Sequence, residues 1–394
     1  MSDYNDLKKY CTDRQWEIFQ AVEEHGSNRK AAIALSVHSS SVDRAIAAVK
    51  KKAARRGWSP EHDLTMEVPD GFHLRGASTL YGPDGERKLQ WVKSNIDHER
   101  QRQIFMEMVE ELAQDLPRLP PISAPEHDIR DMLCVYPVGD HHMGMLSWGI
   151  ETGQSYDLKI GEKMLSGASD YLFNTMPNAS HALIAVLGDF FHYDSFEAVT
   201  PTSRNHLDAD SRYPKMVRAG IRSLRRMIEA AAEKHGQVHV IIEIGNHDLS
   251  TSVFLMECLH NVYMDNDRVT IDTSPMHYHY YRFGSTLIGT HHGHGAKMQQ
   301  LPLIMAADRP QDWGDTDYRY WYTGHVHHSK TQAAVSGQDY TGCRVESFRV
   351  LAPMDAYAHQ KGYRSMQDMK GLVITKDAGE VARHTVNPRM LGFT

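Results

Sequence analysis

From Met132 onward, five short apolar runs each end in a cluster of polar side chains. "MLCVYPVGDHHMG" runs into Asp140, His141 and His142, and "HALIAVLGDFFHYD" into Asp189 and His192. "VHVIIEIGNHD" runs into Asn246, His247 and Asp248, "STLIGTHHGHG" into His291, His292 and His294, and "YRYWYTGHVHH" into His325 and His327. Apolar runs of this length, rich in β-branched and aromatic residues and bounded by glycine, predict buried strands. Helical patterns fall between them, at 157–173 and 212–235. Strands alternating with helices predict an α/β fold, and open α/β sheets gather their sites at the carboxyl ends of the strands, where the clusters lie.

The chain holds 25 histidines, and a histidine taken alone is more often a surface or core residue than a ligand. The repetition of clusters is what carries the chemistry. Carboxylates, an amide oxygen and neutral imidazoles, with no thiolate among them, suit divalent manganese, iron or zinc. A glycine beside each cluster lets the backbone turn sharply and return the side chain to a shared cleft. One bridging carboxylate can hold two ions roughly 3.5–4 Å apart, a spacing that clamps both oxygens of a phosphoryl displacement. Cys11, Cys134, Cys258 and Cys343 are scattered without a CxxC pair, which argues against a cysteine-bound zinc and fits a reducing compartment.

The succession D-x-H, G-D, G-N-H-D, H-G-H and G-H-x-H resembles the calcineurin-like metallophosphoesterases over about residues 130–390. The resemblance implies a four-layer α/β/β/α sandwich. It also implies two divalent metal ions, manganese first, with iron, zinc or magnesium also fitting. Carried over by position, Asp140, His142, Asp189 and His327 bind the first ion, and Asp189 bridges to a second completed by Asn246, His292 and His325. His291 stays open as the alternative to His292. His247 takes the place of the general acid or transition-state stabiliser. The form G-D-x-F-H, continued by "PTS", is similar to the Mre11/SbcD branch of nucleases and gives His192 a place beside His247. The function this implies is a manganese-dependent DNA nuclease in which a metal-bridging hydroxide attacks phosphorus. A phosphatase or cyclic-nucleotide-type phosphodiesterase, and a DNA-bound regulator with a vestigial metal site, stay open. Residues 328–394 read as strands finishing the sandwich, so no Rad50-type ATPase partner is expected.

The N-terminal part has a different character. Residues 28–57 carry eight lysines and arginines against Asp43 alone, a net +7, so the remainder carries −14 of the overall −7. Thr12 to Gln15 has the form of a capping box, and Trp16, Phe19 and Val22 recur at helical spacing up to Gly26. Ser27 can cap a short helix, and after a turn the serines at 39–41 can cap a longer one closed by Gly57. The segment resembles the helix-turn-helix of phage and transposase-type DNA-binding domains. That resemblance makes DNA the partner, with Ser39, Ser41 and Arg44 towards base edges. Arg29, Lys30, Lys50, Lys51 and Arg55 would then face phosphates.

The reading divides the chain into a helix-turn-helix domain (1–58), a connecting region with a hairpin, a helix over 97–115 and a proline-rich linker (59–128), and the catalytic domain (129–394). A polar N-terminus and the absence of a long apolar run predict a cytoplasmic protein with no membrane partner. A homodimer stays open.

Overall fold

Thr12 opens the first helix as its pattern predicts. Its hydroxyl accepts from the Gln15 N–H while the Gln15 side chain returns to the Thr12 N–H. Helix α1 (Asp13–His25) ends on Gly26 at φ 71°, and α2 (Asn28–Ala34) is capped by Ser27. Helix α3 (Ser39–Arg55) corrects the expectation in one respect. His38, extended at φ −73°, caps it through Nδ1, which accepts from the Ser40 N–H, and the serines at 39–41 already lie in the first turn. Ile18, Ala21 and Val22 of α1, Ala31 and Ala32 of α2 and Val42 of α3 share one buried core. Strands β1 (Phe72–Tyr81) and β2 (Arg87–Ile96) form the antiparallel hairpin expected around Pro83-Asp84-Gly85.

This computed structural model describes residues 5–69, 72–100, 102, 103, 106, 125, 129–325 and 337–393. Most of the helix expected over 97–115 and the proline-rich linker therefore lie outside the described residues. By compactness the chain divides into Met1–Gln114 and Asp115–Thr394, which groups the hairpin with the three helices. No described helix is long and apolar enough to cross a membrane.

In the second unit the elements run β3 (Ile129–Val138), α4 (Leu158–Thr175), β4 (Ala179–Val186), α5 (Tyr213–Lys234), β5 (Gln237–Ile242), α6 (Leu249–Tyr263) and β6 (Val269–Ile271). They continue with β7 (His279–Phe283), β8 (Thr286–His291), α7 (Leu301–Asp308), β9 (Tyr318–Thr323), β10 (Gly337–Tyr340), β11 (Cys343–Ser347), β12 (Met369–Thr375) and β13 (Gly379–Val386). Two sheets result, in the orders β13-β12-β3-β4-β5-β6 and β10-β11-β9-β8-β7. Strands β3 to β6 are parallel in the first, and β8, β9 and β11 in the second.

Alternation along the strands decides the layers. Leu133 and Val135 of β3 and Leu183 and Ala185 of β4 meet Ile288 of β8 and Tyr322 of β9 between the sheets. The intervening residues face the helices. Tyr136 packs edge-on against Phe173 of α4 at 4.9 Å, and on the other flank Leu301 and Met305 of α7 cover Leu287, Trp321 and Val345. The architecture is the α/β/β/α sandwich that the sequence predicts.

Two ion pairs built on buried carboxylates join the sheets. Arg383 of β13 forks onto Glu346 of β11 at 2.6 Å to each oxygen. Glu243, just past β5, holds His279 of β7 at 2.9 Å and also accepts from the Thr290 hydroxyl of β8. Burial lowers the His279 pKa, but the hydrogen bond and charge of Glu243 outweigh it and raise it to about 9 from 6.5. The folded value exceeds the unfolded one, so this stabilisation is complete below pH 6.5 and lost as pH rises through 9. Removing one partner strands the other in an apolar setting, so Glu243→Ala should cost about 3 kcal/mol in urea melts at pH 6. The difference from wild type should narrow above pH 9.

Candidate metal centre

Each parallel strand that carries a cluster delivers it just past its carboxyl end: Asp140 after β3, Asp189 after β4, Asn246 after β5, His292 after β8 and His325 after β9. The backbone there is bent hard. Six described residues other than glycine have positive φ, and half are at this centre: His142 at 48°, Asp189 at 47° and His325 at 62°. Such conformations persist only where the surroundings over-determine them. Here the backbone is tied to its neighbours. The His142 N–H donates to the Asp189 carbonyl at 3.0 Å, the His247 N–H to Asp189 Oδ1 at 2.8 Å, and the His325 N–H to both Asp140 oxygens at 3.0 Å.

The glycines prove to be needed for closeness more than for turning. Only Gly188, at φ 87°, is left-handed among those preceding Asp189, Asn246 and His325. A Cβ on Gly245 would lie 2.1 Å from Asp189 Oδ1, and one on Gly324 would lie 2.3 Å from Asp140 Oδ1. At both positions the carboxylate fills the space that a side chain would take.

The donor atoms fall into three overlapping groups, each with its atoms within 4.8 Å of one another: Asp140, His142 and Asp189; Asp189, His292 and His325; and His142, His192 and His247. Asp189 belongs to two of them. His292 Nε2 lies 3.3 Å from Asp189 Oδ2 and 3.1 Å from Asn246 Oδ1, while its Nδ1 lies 2.7 Å from the Leu187 carbonyl. Burial lowers the His292 pKa, yet Asp140 and Asp189 outweigh it and hold it at about 10. Burial raises the Asp189 pKa, and His292 more than reverses it, holding the carboxyl below its ordinary range. The two buried carboxylates thus favour the charged form of His292, and a cation among them would serve the same charge balance.

Of the two candidates in the fourth cluster, His292 faces the carboxylates. His291 stacks on Tyr278 at 4.8 Å and accepts from the Gly293 N–H. His247 gives its Nδ1–H to the His192 carbonyl at 2.8 Å, which directs Nε2 away from that bond. His192 is 1% exposed, its Nδ1 lies 3.4 Å from His142 Nδ1, and its buried Nε2 has no hydrogen-bond partner within normal geometry among the described residues. Burial, then the His142 and His247 charges, push its pKa well down. His327 lies outside the described residues.

Asp248 is a residue the sequence reading placed in the motif without a role. It accepts from the Gly245 N–H at 3.1 Å and the Phe191 N–H at 3.0 Å, closing the β5 turn onto the segment that bears Asp189. Burial, then the Asp189 charge, raise its pKa to about 7. The signal available in the sequence was an acidic residue closing the motif directly after Asn246 and His247.

In the N-terminal unit Arg29, Lys30, Arg44 and Lys51 are exposed, and Ser39 and Ser41 are half-buried at the start of α3. Lys50 pairs with Glu61 and Arg55 with Asp97, each at 3.1 Å. Those two cations are therefore partly satisfied within the unit.

No family model matches the chain, and no curated protein matches it by sequence. Among solved structures it is similar to an uncharacterised, predicted phosphoesterase of Streptococcus pneumoniae at 10% identity, over 65% of this chain and 97% of that one, with a TM-score of 0.27. It is also similar to a single mutant of Vps29 from Entamoeba histolytica at 11% identity, over 64% and 98%, with a TM-score of 0.26. Likenesses this distant carry no weight in the functional reading.

The donor set itself fits divalent cations: hard carboxylate and amide oxygens with borderline imidazoles, buried and mutually in reach. Gly324→Ala should displace Asp140 and lower manganese bound per chain, read by elemental analysis after dialysis. His292→Ala should do the same, whereas His291→Ala should retain the metal.

Proposed function

We propose that the second unit is a dinuclear-metal phosphodiesterase and that its substrate is DNA. The observation that carries the reading is the position of Asp189, common to two donor groups built from four different strand ends. On this reading Asp140, His142, Asp189 and His327 hold one ion and Asn246, His292 and His325 hold the other with Asp189. When bound, the pair would supply Lewis-acid charge to a phosphate and an activated water, which is what the slow hydrolysis of a phosphodiester requires.

The chain's own groups do the rest. The His247 and His325 N–H groups hold the two carboxylates, and the His142 N–H holds the Asp189 carbonyl, so no reorganisation is needed when a phosphate arrives. His247 lines the open cleft beside the donors. With Nδ1–H committed to a carbonyl that can only accept, its Nε2 is the atom free to pass a proton to a departing oxygen. His192 orients His247 through that carbonyl and packs parallel to it at 5.6 Å. Its burial supports a positioning role more than direct contact with the leaving group.

DNA as substrate is supported by the basic block on α2 and α3, where Arg29, Lys30, Arg44 and Lys51 are exposed cations, fit for phosphates, on a chain that is acidic elsewhere. The test combines both units. With manganese, wild type should hydrolyse bis-p-nitrophenyl phosphate and labelled DNA. His247→Ala should lower kcat by about 10²–10⁴-fold while retaining metal. Arg44→Ala with Lys51→Ala should flatten the salt dependence of DNA binding by about one unit of slope per residue. Hydrolysis of p-nitrophenyl phosphate alone would transfer the assignment to a phosphatase, and DNA binding without any hydrolysis to a regulator.

A further inference from the structure

The cleft in front of the donors has a volume of about 1330 Å³, larger than the roughly 300–1,000 Å³ typical of small-ligand sites. A single phosphate would leave most of it empty. Away from the donors one wall is formed by residues 353–367, a stretch with no part in the metal centre. Tyr357 stands on this wall 60% exposed, edge-on to Tyr363 with ring centroids 6.4 Å apart at 69°. The ring is held from its backbone, because Asp355 accepts from the Ala358 N–H at 2.7 Å and caps the short helix Ala356–Gln360. The Lys361 ammonium lies 5.6 Å from the Tyr357 centroid. The turn Gly149–Thr152 packs against the same short helix, and Trp148 before it is 62% exposed. Arg364 belongs to the Tyr357 wall, and Arg204, which is paired with Glu197, also lines the cleft.

Exposed aromatic rings beside sparse arginines are the chemistry that binds unpaired nucleotides, since every base offers a face for stacking. Duplex binding instead depends on many lysine and arginine contacts to phosphates. Among the described residues this cleft is lined by two arginines and no lysine, with Asp208 and Asp355 also present. Bases inside a duplex are moreover already stacked on one another and cannot reach a tyrosine.

We propose that the wall carrying Tyr357, Tyr363 and Arg364 holds an unpaired polynucleotide strand beside the metal centre, with Tyr357 stacking on a base and Arg364 and Arg204 taking flanking phosphates. This rests on the phosphodiesterase reading for the position of the scissile bond, but the binding of the strand can be read separately. Tyr357 is exposed, so truncating it leaves the core packing alone.

The experiment uses the full chain with Tyr357→Ala, Tyr357→Phe and Arg364→Ala. A short single-stranded oligonucleotide carrying 2-aminopurine is added in EDTA, where stacking on a tyrosine quenches the base. Quenching should occur with wild type and Tyr357→Phe and be lost with Tyr357→Ala. With manganese, the ratio of kcat/KM for the strand to that for bis-p-nitrophenyl phosphate should fall at least about tenfold in Tyr357→Ala, through KM. Arg364→Ala should lower it in the same direction. Quenching equal in wild type and Tyr357→Ala, loss of quenching in Tyr357→Phe, or a duplex cleaved in preference to the strand would overturn the proposal. Wild type that quenches the base but hydrolyses neither substrate would leave the strand-binding wall standing and sink the phosphodiesterase reading.

Discussion

Two carboxylates buried within reach of several imidazoles are costly unless something positive lies among them. Everything distinctive about the second unit follows from keeping Asp140 and Asp189 in that position. Asp189 is 2% exposed, sits in the left-handed region, and is tied through its own carbonyl and one carboxylate oxygen to His142 and His247. Asp140 is fully buried and receives the His325 N–H on both oxygens. Asp140 and Asp189 follow neighbouring strands of one sheet, and His325, which donates to Asp140, follows β9 of the other. The interaction that positions the ligands is therefore also one that registers the two sheets at their shared edge.

The rest of the sandwich holds that edge still. Leucines, valines and isoleucines between the sheets supply non-directional attraction, which does not by itself fix one sheet's slide over the other. The Glu243–His279–Thr290 and Glu346–Arg383 contacts supply direction, because each needs partners from both sheets. Asp248 does the same on a smaller scale by tying the Asn246 turn to Phe191. Rigid strands, buried polar ties and glycines that make room for carboxylates add up to a centre arranged before any ligand enters.

Much of this was legible in the chain because strand ends and ligand residues coincide in sequence. The five apolar runs gave β3, β4, β5, β8 and β9, and the helical patterns at 157–173 and 212–235 gave α4 and α5 within a residue or two. Helix α6 was not anticipated: "LSTSVFLMECLHNVY" is apolar around most of its circumference, so no single face stands out. The edge strands β7 and β10 gave no separate signal, since "HYHYYRFG" is polar and aromatic without a clear period. At the site, the choice between His291 and His292 needs the third dimension, because both precede Gly293 and only packing against Tyr278 removes His291. The part played by Gly245 and Gly324 was equally hidden. Sequence suggests turning, and only the distance to a carboxylate reveals crowding. The cap falls at His38 and not at the serines after it, although serine is the commoner cap, because the His38 ring nitrogen reaches the Ser40 N–H.

The claim on which the functional account stands is that Asp189 is shared by two cations. Electron paramagnetic resonance of the chain titrated with Mn²⁺ tests it directly. A shared carboxylate predicts a spin-coupled spectrum that reaches full intensity at two ions per chain. A six-line spectrum of isolated Mn²⁺ that saturates at one ion per chain would contradict it.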